Sequence, residues 1–142
     1  MKKVSVAVVF ILFLTSCFKM GSYIPLEKKV ELYWKARVTG QYTFDYNGRT
    51  LSLFKDFLSD KTKKHMTEKE FYSRLNFKVL DFEIENIKYN ESKTEAEVSV
   101  LMTIEFNGYK LQNVPVTDKW IKENGEWKIV LKLQSNPFYT YE

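Results

Sequence analysis

From Ala96 to Phe106 apolar side chains fall at every second position: Ala96, Val98, Val100, Met102, Ile104 and Phe106 alternate with Glu95, Glu97, Ser99, Thr103 and Glu105. A period of two places one set on one face of an extended chain, so this run is a strand whose sheet must be covered on that side. Asn107-Gly108 follows at once, and a type I′ hairpin turn, which needs positive φ at both central residues, suits that pair. The chain therefore returns antiparallel through Tyr109–Lys122, with Val114, Val116 and Trp120 on one face. Asn124-Gly125 turns it again into Trp127, Ile129, Leu131 and Leu133, with Lys128 and Lys132 opposite. Upstream, Leu80, Phe82 and Ile84 alternate with Asp81, Glu83 and Glu85. The phase then slips near Asn86 to bring Ile87 and Tyr89 into register, as a bulge does. Four successive runs of this kind predict an antiparallel meander, ended by Pro137 before the aromatic tail Phe138-Tyr139-Thr140-Tyr141.

Before Phe77 the period is helical. Leu26, Val30, Tyr33, Trp34 and Val38 recur at three- and four-residue steps and predict a helix closed by Gly40. Gln41–Arg49 carries no such pattern, and Asn47-Gly48 marks a turn within it. Leu51, Phe54, Phe57 and Leu58 predict a second, shorter helix, followed by a polar stretch from Ser59 to His65. Thr67-Glu68-Lys69-Glu70 is a capping box that opens a third helix carrying Phe71, Tyr72 and Leu75. The expected fold class is α+β: three N-terminal helices packed on one face of a curved antiparallel sheet of about four strands, in a single domain spanning residues 26–142. That length supports one domain and one core, and aromatic residues, 16% of the chain, are its main filling.

The N-terminus reads as an address. Lys2-Lys3 precedes Val4–Leu14, a run whose only polar member is Ser5, which is the charge-then-apolar order of an export signal. As a helix that run reaches roughly 17 Å, against about 30 Å of bilayer hydrocarbon, so it is too short to span. Its end, Leu14-Thr15-Ser16-Cys17, resembles the bacterial lipobox, and Cys17 is the one cysteine of the chain. The resemblance implies a lipoprotein: a signal peptide over residues 1–16, cleavage before Cys17, and acyl chains, palmitate among them, on the Cys17 sulfur. Residues 17–25 are then a tether of at most about 30 Å, which holds the domain at its membrane. Phe18 stands where an Asp would signal retention at an inner membrane, so the expected location is extracytoplasmic, on the periplasmic side of the outer membrane if the host is Gram-negative.

The order of elements in residues 26–142 resembles the NTF2-like, cystatin-like cone fold. The matching pieces are Tyr33-Trp34-Lys35-Ala36-Arg37, Phe57-Leu58-Ser59, the capped Phe71 helix, and Asp118-Lys119-Trp120 leading through Asn124-Gly125 to Trp127-Lys128-Ile129-Val130. Gln41–Arg49 is longer than the usual connection of that fold. The resemblance implies a cone which in some members houses an isomerase or dehydratase, with an ionisable group pointing into an apolar pocket. Asp118 is the residue that meets this requirement, because it shares strand parity with Val114, Val116 and Trp120, whereas Glu83, Glu95, Glu97 and Glu105 fall on outward positions. A carboxylate desolvated among rings has a raised pKa and suits a general base, with Tyr33, Tyr42, Tyr46 or Tyr72 as a hydrogen-bond donor. The preferred alternative is a structural Asp118 near a strand end, bonded to backbone or to a neighbouring Lys or Tyr. Trp34, Trp120 and Trp127 are candidates for lining a ligand pocket, though large aromatics at buried parity also serve as plain core.

Other chemistry finds no residues to carry it. His65 is the one histidine, so no histidine metal site is expected, and with no G-x-G-x-x-G or P-loop in the chain no cofactor is expected either. The basic patch Lys61-Thr62-Lys63-Lys64-His65 reads as a solvated loop in preference to a surface for anionic head groups. The formal net charge is +4, and two of the lysines lie in the leader, so the domain itself is near neutral and nucleic acid is not an expected partner. The expected function is a lipid-anchored, non-enzymatic binding module for an envelope protein or a small apolar ligand; the alternative is an NTF2-like enzyme using Asp118.

Overall fold

The structure, a computed structural model, describes residues 23–75 and 77–132. The leader with Leu14-Thr15-Ser16-Cys17, the tether as far as Ser22, Leu133, Pro137 and the aromatic tail lie outside the described residues. In chain order the elements are α1 (Leu26–Thr39), β1 (Thr43–Tyr46), β2 (Arg49–Ser52), a π-helical turn (Leu53–Phe57), α2 (Asp60–Lys63), α3 (Glu68–Arg74), β3 (Lys78–Tyr89), β4 (Glu95–Phe106), β5 (Tyr109–Glu123) and β6 (Glu126–Val130). The molecule is α+β: α1 packs against a four-stranded antiparallel sheet ordered β3-β4-β5-β6, and β1 and β2 form a separate hairpin.

The alternating runs form the expected strands. Asn107 and Gly108 both take positive φ, 49° and 79°, and the Asn47-Gly48 and Asn124-Gly125 pairs do the same. Val98 and Val100 are fully buried on β4, while Glu95, Glu97 and Glu105 face solvent. Three register shifts interrupt the ladders, each a site where an extra residue bends a strand. The shift between Ile84 and Asn86 is the one legible in the sequence. A second, between Val79 and Asp81, makes Leu80 the extra residue, so Val79 rather than Leu80 takes the deeply buried position. In the third, Thr103 faces both Gln112 and Asn113, and Asn113 has φ 54°. Beyond it the β4–β5 hairpin runs past the covered face, which leaves Tyr109 74% and Leu111 43% exposed.

The helical half departs from expectation in three places. The second helix expected over Leu51–Leu58 does not form as such: Leu51 and Ser52 end β2, and Leu53–Phe57 make one π-helical turn. The reason lies upstream, in the segment expected to lack pattern. Tyr42, Phe44 and Tyr46 alternate with Thr43 and Asp45, and the Asn47-Gly48 turn folds this strand onto Arg49–Ser52, with Thr43 opposite Ser52. The polar stretch Ser59–His65 contains α2, capped by Ser59, whose Oγ accepts the Thr62 N–H at 3.1 Å. In place of three comparable helices there are thus one long helix, a π turn and two short helices among the described residues. The third helix has the predicted capping box, with the Glu70 N–H donating to Thr67 Oγ1 and the Thr67 N–H to Glu70 Oε2.

The core lies between α1, the π turn and the inner face of the sheet. Trp120, Tyr33, Phe57 and Phe71 are its largest fully buried side chains. Burial of one such ring contributes about 2–3 kcal/mol, so these rings dominate the packing between layers. No helix among the described residues is long and apolar enough to cross a membrane.

Candidate functional site

Strand parity turns Asp118 inward from β5, opposite Val98, and α1 brings Trp34 above it. The Trp34 indole Nε1–H donates to Asp118 Oδ2 at 2.9 Å, a bond between groups that are both buried. Burial pushes the Asp118 carboxyl up to about 6, while the Trp34 N–H and the Arg37 guanidinium work in the opposite direction. The surroundings are rings. Tyr33 meets Trp34 edge-on at 5.6 Å and Trp120 edge-on at 6.0 Å, and Trp34 lies 6.3 Å from Phe82. Burial also raises the Tyr33 phenol. Trp120 Nε1 is buried with no hydrogen-bond partner among the described residues.

Chemically this is a carboxylate with one indole donor in an aromatic packing. Among the described residues the Asp118 carboxyl bonds neither backbone nor a Lys or Tyr; its partner is a tryptophan on another element. Of the tyrosines considered as a second group, Tyr33 alone packs on both Trp34 and Trp120. Tyr42 stacks on Tyr72 at 5.3 Å, Tyr72 Oη meets Ser52 Oγ at 3.4 Å, and Tyr46 lies elsewhere. Trp127 sits against Tyr89, 5.9 Å away, with Lys122 Nζ over its ring at 5.5 Å. His65 and Lys64 are exposed, and Lys63 is paired with Asp60 at 3.3 Å. Among the described residues no cluster of three His, Cys, Asp or Glu side chains is arranged to hold a metal.

A groove of about 390 Å³ opens on another part of the surface. It is lined by Tyr23, Ile24 and Pro25 of the entering chain and by Tyr46, Asn47, Arg49 and Leu51 of the β1–β2 hairpin. Asp118 and the three tryptophans do not line it. The Tyr23 ring lies against Gly125, where a Cβ would come within 3.2 Å, so the entering chain is seated on the β5–β6 turn.

Arg49 belongs to a cluster that was not singled out in the sequence. Lys29 Nζ and Lys128 Nζ both donate to the Asp56 carbonyl, at 2.9 and 2.8 Å. Lys29 is 4% exposed, with its ammonium 4.6 Å from the Phe57 ring centroid. Burial, then the neighbouring Lys128, hold its amine down at about 8. Glu126 answers two cations, Lys128 at 3.3 Å and Arg49 at 4.0 Å. The Asp56 carboxylate accepts the Ser52 N–H at 2.7 Å. A signal for Lys29 did exist: three residues after Leu26 and four before Tyr33, it stands on the apolar stripe of α1. Compared with known proteins, the chain matches no family model and has no significant match among curated proteins.

Proposed function

We propose that the chain is a bacterial lipoprotein, exported on residues 1–16, cleaved before Cys17 and held by acyl chains on that sulfur at an envelope membrane. Its domain, on this reading, is an NTF2-like or cystatin-like cone that binds a partner and catalyses no reaction. The anchored half is supported by Leu14-Thr15-Ser16-Cys17 after a basic, then apolar, leader. The cone is supported by the order of elements and by the bulges that bend a sheet covered by α1.

The observation that carries the binding reading is the engagement of Asp118 by Trp34 within a packing of rings, at a distance from the surface groove. A general base needs room for the substrate atom whose proton it takes. The same packing favours an envelope protein over a small apolar ligand, because the rings that would line a cone are in contact with one another. The acid–base alternative draws on one fact, the Asp118 carboxyl raised to about 6. Both halves are tested in cells fed labelled palmitate. Label is expected on the wild-type chain and not on Cys17→Ser, and cross-linking is expected to capture an envelope protein with the wild type. An unlabelled wild-type chain would end the lipoprotein reading; turnover of a carbonyl substrate abolished by Asp118→Asn would end the binding one.

A further inference from the structure

The groove beside the entering chain brings together two phenol rings, one carboxamide and aliphatic surface. Tyr23 comes from the entering chain, Tyr46 and Asn47 from the hairpin and its turn, and Ile24 and Leu51 supply the aliphatic part. Among the described residues the Tyr23, Tyr46 and Asn47 side chains make no hydrogen bond within the protein, and Tyr23 is 51% exposed. Their hydroxyl and amide groups can each donate and accept. Arg49, the one charged side chain in the lining, is already engaged, with Glu126 at 4.0 Å among its partners. What the groove has left to offer a ligand is therefore uncharged. Gly125 leaves room for the Tyr23 ring against the β5–β6 turn, which holds that wall in place before a ligand arrives.

We infer that this groove binds an uncharged sugar, with Tyr23 and Tyr46 as ring surfaces and Asn47 as the hydrogen-bonding group that orients it. A pyranose carries hydroxyls that both donate and accept, as the phenols and the carboxamide do, and its C–H faces suit aromatic and aliphatic walls. The other ligand classes fit less well. A purely apolar ligand would strip water from three polar side chains and give nothing in return. An anion would find no cation that is not already engaged. The volume of about 390 Å³ lies toward the small end of ligand pockets, which suits a short saccharide end rather than a macromolecular surface. A free sugar and the terminus of an envelope glycan present the same rings to such a site. The inference goes beyond the function proposed above and does not rest on the anchor at Cys17.

The test follows amide shifts of the isotope-labelled full chain by NMR, in a polyoxyethylene ether detergent that carries no sugar. The probes are cellobiose, its N-acetylated counterpart chitobiose, the acidic cellobiouronate and the apolar cyclohexanol. Cellobiose or chitobiose is expected to give saturable shifts at Ile24, Asn47 and Leu51, with an affinity that added salt leaves unchanged. A preference for chitobiose assigns the source to an N-acetylated glycan, and a preference for cellobiose assigns it to a free sugar. Tyr46→Leu, which removes the ring, is expected to weaken binding about tenfold, and Asn47→Gly, which keeps the positive φ of the turn and removes the amide, about fivefold. Lys64→Gln, on the exposed end of α2, is expected to change nothing. Three results overturn the site: no saturable shift with either neutral disaccharide, cyclohexanol binding as tightly at the same amides, or full affinity in both groove variants at an unchanged unfolding midpoint. Tighter, salt-sensitive binding of cellobiouronate overturns the uncharged assignment. Absence of palmitate label alongside intact sugar binding removes only the anchor.

Discussion

Asp118 is a residue at which burial and hydrogen bonding act against each other. Burial favours its protonated form, the Trp34 N–H favours the carboxylate, and burial prevails because the carboxyl rises from 3.8 to about 6. The folded chain therefore holds this proton more tightly than the unfolded chain does. Its contribution is fully present below pH about 4, declines as the pH rises to about 6, and amounts to on the order of 3 kcal/mol across that window. Asp118→Asn keeps an oxygen for Trp34 and removes the titration. Urea unfolding at pH 4 to 7 should show the wild type losing stability relative to Asp118→Asn through the window, and both running parallel above it. A wild type that gains stability there would mean that Trp34 and Arg37 outweigh burial. The inward direction of Asp118 was legible in strand parity. Its partner was not, since Trp34 is 84 positions away and only packing of α1 on the sheet selects it.

Among elements, the segment from β1 to α2 differs most from its sequence pattern. Leu51, Phe57 and Leu58 of the expected stripe are buried, but Phe54 is only half-buried and Leu53, outside that stripe, is fully buried, so the helical period misled. A hairpin followed by one π turn buries Leu51, Phe57 and Leu58 as a short helix would, with Leu53 in place of Phe54, and Asn47-Gly48 favours the hairpin. The end of this segment covers the outer edge of β6. The Ser59 N–H donates to the Ile129 carbonyl at 2.9 Å, and the Leu131 N–H donates to Thr62 Oγ1 at 3.1 Å. Ser59 Oγ and Thr62 Oγ1, 2.9 Å apart, share a hydrogen bond out of contact with water. Such a clasp shields a strand edge from pairing with other chains. Thr62→Val is expected to destabilise by about 1–3 kcal/mol, because it leaves the Leu131 N–H without an acceptor. Amide exchange should accelerate first at Leu131, and Thr62→Ser should restore most of the loss; unchanged exchange in Thr62→Val would refute the clasp.

At the scale of the whole molecule, the Asp56 carbonyl ties three elements together, because Lys29 reaches it from α1 and Lys128 from β6 while it belongs to the π turn. The arrangement keeps a charge out of water. With the Lys29 amine held at about 8, its penalty is full below that pH and is relieved as the pH climbs toward about 10.5. Lys29→Met preserves the stem's packing, and Lys128 still serves the carbonyl. Stability at pH 7 is therefore expected to hold or to rise by ~1–2 kcal/mol, with the wild type recovering the difference between pH 8 and 10.5. A loss larger than about 2 kcal/mol in chemical denaturation would instead make Lys29 indispensable to the junction. By itself the sequence determined the four strands, the turns between them, α1 and the cap of α3, because period, Asn-Gly chemistry and capping act within a few residues of one another. Only the tertiary structure decided that Trp34 meets Asp118, that Lys29 and Lys128 share a carbonyl, and that the entering chain and a hairpin enclose a groove. Those outcomes depend on which distant surfaces packing brings together, and no local pattern carries that information.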